Sequence, residues 1–99
     1  MGLRLTILAW FLALLIGTPT VAHEKFKIVG SVVKIHAAQI DVKAVDGATY
    51  EIDTTDGTVV TRNFKKVPKG ELKAGAKVIV HALGHDMFDL EAVEVQLVD

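Results

Sequence analysis

The chain has 99 residues, 51% hydrophobic and 23% charged, with a formal net charge of −1 and no cysteine. That length holds one domain, and the missing cysteines exclude a disulfide scaffold and a thiol nucleophile. The near balance of charge excludes the broad basic stripe that a nucleic-acid backbone requires.

Residues 1–22 carry much of the apolar excess. Arg4 gives a short positive start, Leu5 to Ile16 an apolar run, and Thr20-Val21-Ala22 a small-residue exit after Pro19. This is the three-part pattern of a secretory signal peptide, and the run falls short of the roughly 20 apolar residues a spanning helix needs. Cleavage is expected after Ala22, leaving residues 23–99 as a periplasmic or secreted domain that does not span a membrane. No cysteine follows the exit, so there is no lipid anchor by that route. The mature part carries ten basic and twelve acidic residues. Its one basic cluster, Arg62, Lys65, Lys66 and Lys69, surrounds a single loop and lacks the interleaved aromatics of single-strand binders, so no nucleic-acid partner is expected.

The first mature strand spans about Lys25 to Ile35, with Phe26 and Ile28 on one parity and Val33 and Ile35 on the other. Gly30 and Ser31 lie between them. An interior glycine marks a bend or bulge that lets one strand serve two sheets. Ile40, Val42 and Ala44 then alternate on one face, and Ala48, Tyr50 and Ile52 alternate after Asp46-Gly47. A two-residue Asp-Gly loop would set Val42 opposite Glu51, mixing apolar and charged side chains. A three-residue loop, Val45-Asp46-Gly47, instead pairs Ala44 with Ala48, Val42 with Tyr50 and Ile40 with Ile52. The sequence therefore predicts a type I turn with a glycine bulge, Gly47 taking the left-handed position.

A turn at Asp56-Gly57 leads to a short strand, Thr58 to Thr61, and a polar connection through Arg62, Asn63 and Phe64. Val67 to Gly75 offers a proline start, one apolar anchor in Leu72 and a glycine stop, enough for one helical turn with Leu72 plugging a barrel end. Val78, Val80 and Ala82 alternate with Lys77, Ile79, His81 and Leu83 in a central strand. A short connection at Gly84, His85 and Asp86 follows. In the last strand Phe88, Leu90 and Ala92 sit on one parity and Val93, Val95 and Leu97 on the other, so a bulge or strong coil is expected near Ala92-Val93.

Five or six strands, a small plug before the last pair and no long helix predict an all-β fold, an OB-like barrel of five to six strands. An SH3-like barrel or a small open sandwich is the alternative. Closure would remove the exposed edges that a short chain without disulfides can least tolerate.

Gly30-Ser31-Val32-Val33, Asp46-Gly47, the segment from Gly70 to Val78, Val80-His81-Ala82 and the stretch from Leu90 to Val95 resemble a family of small exported bacterial β-barrel domains of unknown function. The resemblance covers nearly all of the mature chain and implies a fold but no established site. A more distant likeness, through Leu72-Lys73-Ala74-Gly75 before a strand, is to the periplasmic copper-binding protein CusF, also a small OB barrel. Its tryptophan near paired methionines has no counterpart here, so its copper chemistry does not carry over.

Four chemistries compete. His81, His85 and Met87 lie on or beside one connection, and imidazole with thioether suits Cu(I), or Zn(II) if Asp86 or Asp89 joins. His36 could join only if the fold brings its loop to the same end. Cleavage after Ala22 would also leave His23 with a free α-amine, able to chelate copper. Catalysis has no support, because Ser31 sits in a strand without a nucleophile elbow and the carboxylates scatter over solvent faces. A cofactor-free binding or structural role in the cell envelope is the default, its partner an envelope protein, peptide or glycan. Phe64 and Phe88, near loops, are the apolar side chains whose exposure would mark such a face.

Overall fold

The computed structural model describes residues 24–99. The signal peptide expected over 1–22 and the chelate considered at His23 lie outside the described residues. Seven strands form one sheet: β1 (Glu24–His36), β2 (Gln39–Ala44), β3 (Thr49–Asp53), β4 (Val59–Arg62), β5 (Lys65–Val67), β6 (Lys77–Gly84) and β7 (Leu90–Val98). A single 3₁₀ turn at Lys69–Glu71 precedes β6, and among the described residues no helix is long and apolar enough to cross a membrane.

Five of these strands close a ring in the order β1-β2-β3-β7-β6. The closing contact is a short parallel pairing, Ile52 with Leu90 and Asp53 with Glu91. This is the expected OB-type barrel, to which the hairpin β4–β5 is added. Two strands share the outer edge of β7: β3 at Leu90 and Glu91, then β4 at Glu94 to Leu97. At the handover the buried Thr58 hydroxyl donates to the Ala92 carbonyl at 2.7 Å, so the gap between the two pairings leaves that acceptor satisfied.

β1 is long because it serves two partners. Glu24 to Ser31 pair with β6 and Gly30 to His36 with β2, so Gly30 and Ser31 are flanked on both sides. The change of phase expected at the glycine occurs three residues later: Val33 is the bulged residue, 54% exposed, and Ile35 realigns opposite Ile40. Gly30 has a different task, to let the β2 backbone come close. In β7 the bulge falls where the parity demanded one, between Ala92 and Glu94. Val93, expected on the core face, is the extra residue and is exposed; Leu90 and Ala92 before it and Val95 and Leu97 after it are buried.

The β2–β3 hairpin follows the sequence argument in detail. Val42 pairs with Tyr50 and Ile40 with Ile52. The Ala44 amide donates to the Ala48 carbonyl at 2.8 Å and the Gly47 amide to the Ala44 carbonyl at 2.9 Å, with Gly47 at φ +94°. Asp46 supports the turn by accepting from the Ala48 amide at 2.8 Å.

Three local expectations change. The polar connection at Arg62-Asn63-Phe64 is a tight hairpin turn, with Arg62 opposite Lys65 and both Asn63 (φ 55°) and Phe64 (φ 65°) left-handed. That is the geometry of a two-residue mirror-image turn, which Asn signals but Phe conceals. The strand expected at Thr58 to Thr61 runs Val59–Arg62, since Thr58 is spent on the Ala92 carbonyl. Gly84 belongs to β6, so the last connection is five residues, 85–89. The core's largest enclosed side chains are Ile40, Val42, Ile52, Val78, Val80, Leu90 and Val95 from the ring strands and Val60 from β4. Leu72 packs against it from the barrel end, as a plug should.

Candidate functional site

The three residues proposed as metal ligands each have other neighbours in the fold. His81 lies on the outer face of β6, between the buried Val80 and Ala82, and its Nε2 is 3.0 Å from Gln96 Oε1 on β7. Extended chain from His81 to the strand end at Gly84 covers about 10 Å. His85 lies beyond it in the connection, its Nδ1 2.8 Å from Asp89 Oδ2. Met87 is half-buried and faces β3, lining a groove to which neither histidine contributes. Among the described residues no three His, Cys, Asp or Glu side chains stand close enough to hold one ion.

His36, at the end of β1, is linked to Met87's groove. Its Nε2 is 3.2 Å from Asp41 Oδ2 across the β1–β2 turn, and Asp41 forms part of the groove wall. The other oxygen of Asp41 is enclosed and has no hydrogen-bond partner. Asp41 is also directly opposite Glu51 on β3, a like-charge pair that costs stability in an antiparallel ladder, and opposite Lys34 on β1, which offsets part of that cost.

The groove has a volume of about 650 Å³. One wall is Ala48, Thr49, Tyr50 and Glu51, four consecutive residues, with Asp41 behind them; the other is Met87 and Phe88. Side chains of a strand alternate between faces. A cleft lined by four in succession therefore runs along the strand's edge rather than over one face.

Phe88 is 94% exposed, and its display is built into the loop. Its amide donates to Asp86 Oδ1 at 2.8 Å, the Asp89 amide donates to the Asp86 carbonyl at 3.2 Å, and His85 clasps Asp89. On the opposite wall the Tyr50 hydroxyl donates to Asp46 Oδ2 at 3.1 Å. This hydrogen bond, helped by partial desolvation and the carboxylate's charge, holds the Tyr50 phenol above its ordinary pKa.

Two members of the basic cluster are committed elsewhere. Arg62 is paired with Glu71 and Asp99, and Lys69 Nζ donates to the carbonyls of Thr55 at 3.1 Å and Asp56 at 3.3 Å. Phe64 is 89% exposed at the β4–β5 tip. Sequence reasoning marked Phe88 and Met87 but missed Asp41, Thr49, Tyr50 and Glu51. The three-residue loop it deduced already sets Asp41 opposite Glu51, and that unfavourable pairing was the available signal.

No protein-family model matches the chain, and no curated protein does. Among solved structures it is similar to one described as "Crystal structure of Ag(I)CusF", at 14% identity and a TM-score of 0.58, covering 76% of this chain and 99% of that one. At that identity the likeness establishes the fold, a CusF-like OB barrel, and leaves the site to be argued from this chain's own residues.

Proposed function

We propose that the protein is an exported, non-catalytic binding domain of the cell envelope, and that its ligand seats in the groove between the β3 edge and the Met87-Phe88 loop. The observation that carries this is Phe88, an aromatic ring 94% exposed and held in place beside a cleft of ligand size. OB barrels bind ligands on the face of their second and third strands and on the loop between their last two. In this chain those parts are β2–β3 and the connection 85–89. An envelope protein, peptide or glycan would fit the mixture of aromatic, thioether and carboxylate groups.

A ¹H–¹⁵N NMR titration with N-acetylglucosamine oligosaccharides and with a set of unstructured decapeptides tests the assignment. Shifts should concentrate at Thr49, Tyr50, Glu51, Met87 and Phe88, and Phe88→Ser should weaken the responsible ligand at least tenfold. Shifts centred instead on Phe64 and the β4–β5 hairpin would contradict it.

The second reading is metal binding, favoured by the Ag(I) in the similar structure's description and by soft donors in a cysteine-free chain. In this reading copper or zinc is held by His81, His85 and Met87, or by Met87 with His36. Competition titration with Cu(I) and Zn(II) separates the sets. Loss of affinity in His81→Ala/His85→Ala supports the first and loss in His36→Ala the second; equal weak affinity in all variants removes metal from consideration.

A further inference from the structure

The edge of β3 is open over half its length. Val42 and Tyr50, and Ile40 and Ile52, continue the hydrogen-bonded pairing that starts with the Ala44 amide on the Ala48 carbonyl. By alternation, Thr49 and Glu51 turn their amides and carbonyls away from β2. On that far side β7 pairs only with Ile52 and Asp53. The chain then leaves the sheet through 85–89, and the groove lies where the next stretch of β7 would have been. Three further features surround this edge: an exposed phenyl ring, a thioether, and carboxylates at Asp41 and Glu51 with no basic residue among the lining groups.

We infer that the groove takes an extended peptide segment as an added strand on the Thr49–Glu51 edge, and that it selects segments carrying lysine or arginine. The inference rests on the binding-domain reading above and specifies its ligand class. The peptide backbone pairs with the amide and carbonyl of Thr49 and with the Glu51 amide, in line with β7, whose pairing at Ile52 already takes the Glu51 carbonyl, and alternate side chains fall on Phe88 and Met87. Like charges at Asp41 and Glu51 face each other across β2–β3; Asp41 is flanked on its other side by Lys34 and touched at one oxygen by His36, while its second oxygen has its hydrogen bonding unspent and Glu51 has no basic residue opposite it. A cationic side chain on the incoming strand relieves that repulsion, whereas an acidic one adds to it. The opposing charges nearby in the sheet are Lys34, opposite Asp41 on β1, and Lys43, opposite Thr49 on the outer face. Asp46 and Asp86, in the two flanking turns, keep the local balance negative. The other sheet margin offers no such site, since β5 carries Lys65 and Lys66, the kind of charge that discourages strand addition.

The test is an NMR titration of the purified protein with three synthetic peptides. The first alternates lysine and valine, the second has glutamate for lysine, and the third repeats the first with N-methyl groups on every second amide, made in both registers. The lysine peptide should shift Thr49, Glu51, Met87 and Phe88. The glutamate peptide should bind at least tenfold more weakly, and one N-methylated register should lose binding while the other keeps it. Phe88→Ser, at a site exposed enough to leave the fold intact, should weaken the lysine peptide tenfold. Thr49→Pro should remove binding without touching the β2 ladder. Equal binding of both N-methylated registers overturns strand addition, and equal binding of the glutamate peptide overturns the selection for basic segments, each leaving the groove as a ligand site. No shift in the groove with millimolar lysine peptide overturns the inference, as does concentration-dependent pairing of two protein copies through β3 that the peptide does not displace. Shifts that gather away from the groove for every probe overturn the binding-domain reading itself.

Discussion

Gly30→Ala is expected to destabilise the barrel by more than about 3 kcal/mol, at or beyond the upper range for overpacked sites. A Cβ at this position would lie 2.1 Å from the Lys43 carbonyl oxygen and 2.8 Å from the Ala44 Cα. Both atoms are β2 backbone, so no side chain can swing aside, and β6 blocks retreat because Gly30 also pairs with Val78. Single domains are stable by only about 5–15 kcal/mol, so the loss should be plain in urea denaturation. Gly70→Ala is the control, since nothing stands within 4 Å of a Cβ there, and should change stability by less than about 0.5 kcal/mol. A Gly30→Ala protein as stable as that control would mean that β1 is not held between β2 and β6.

Ile52→Ala should cost about 2–5 kcal/mol, the usual range for emptying a closed core site, and Ile52→Val about 0.5–1.5 kcal/mol. Ile52 is fully enclosed, opposite Ile40 on one side and Leu90 on the other. It therefore stands at the seam where β3 meets β7 and the ring closes, through two paired positions only. Chemical denaturation of both variants checks the pair. Costs below about 1 kcal/mol for alanine would show that the ring is open at β3 and that the core is sealed elsewhere.

The two positions show what the sequence can and cannot disclose. Alternation of apolar residues marked Ile40, Val42, Ile52, Val78, Val80 and Leu97 as core, because inward positions of a small barrel leave little choice of residue. The Val45-Asp46-Gly47 loop was legible because only one register keeps charge off the apolar face, and the change of parity after Ala92 required a bulge or strong coil, of which the strand has the bulge. The role of Gly30 was half legible. A glycine inside a strand announces a special site, but whether it bends the strand or admits a neighbour's carbonyl depends on β2, which no local pattern describes. The Asn63-Phe64 turn was hidden because phenylalanine rarely occupies a left-handed conformation and is strained when it does.

The candidate site was less legible than the fold, for a physical reason. Histidines attract attention as ligands, yet the side chain of His81 points away from the connection and is bonded to Gln96, while His85 is bonded to Asp89. The groove is instead made by backbone that lacks a neighbour, and an unpaired edge has no composition of its own. Only Phe88, an aromatic ring among Asp86, Met87 and Asp89, and the clash of Asp41 with Glu51 left a trace in the sequence.

Amide hydrogen exchange over β3 tests the open edge most directly. Tyr50 and Ile52 donate inward to β2, so their amides should exchange slowly, near the rate set by global unfolding. Thr49 and Glu51 donate toward the groove and should exchange within minutes, slowing when the lysine peptide is added. Protection of Thr49 and Glu51 equal to that of Tyr50 in the protein alone would show that the edge is already covered, and would contradict the account.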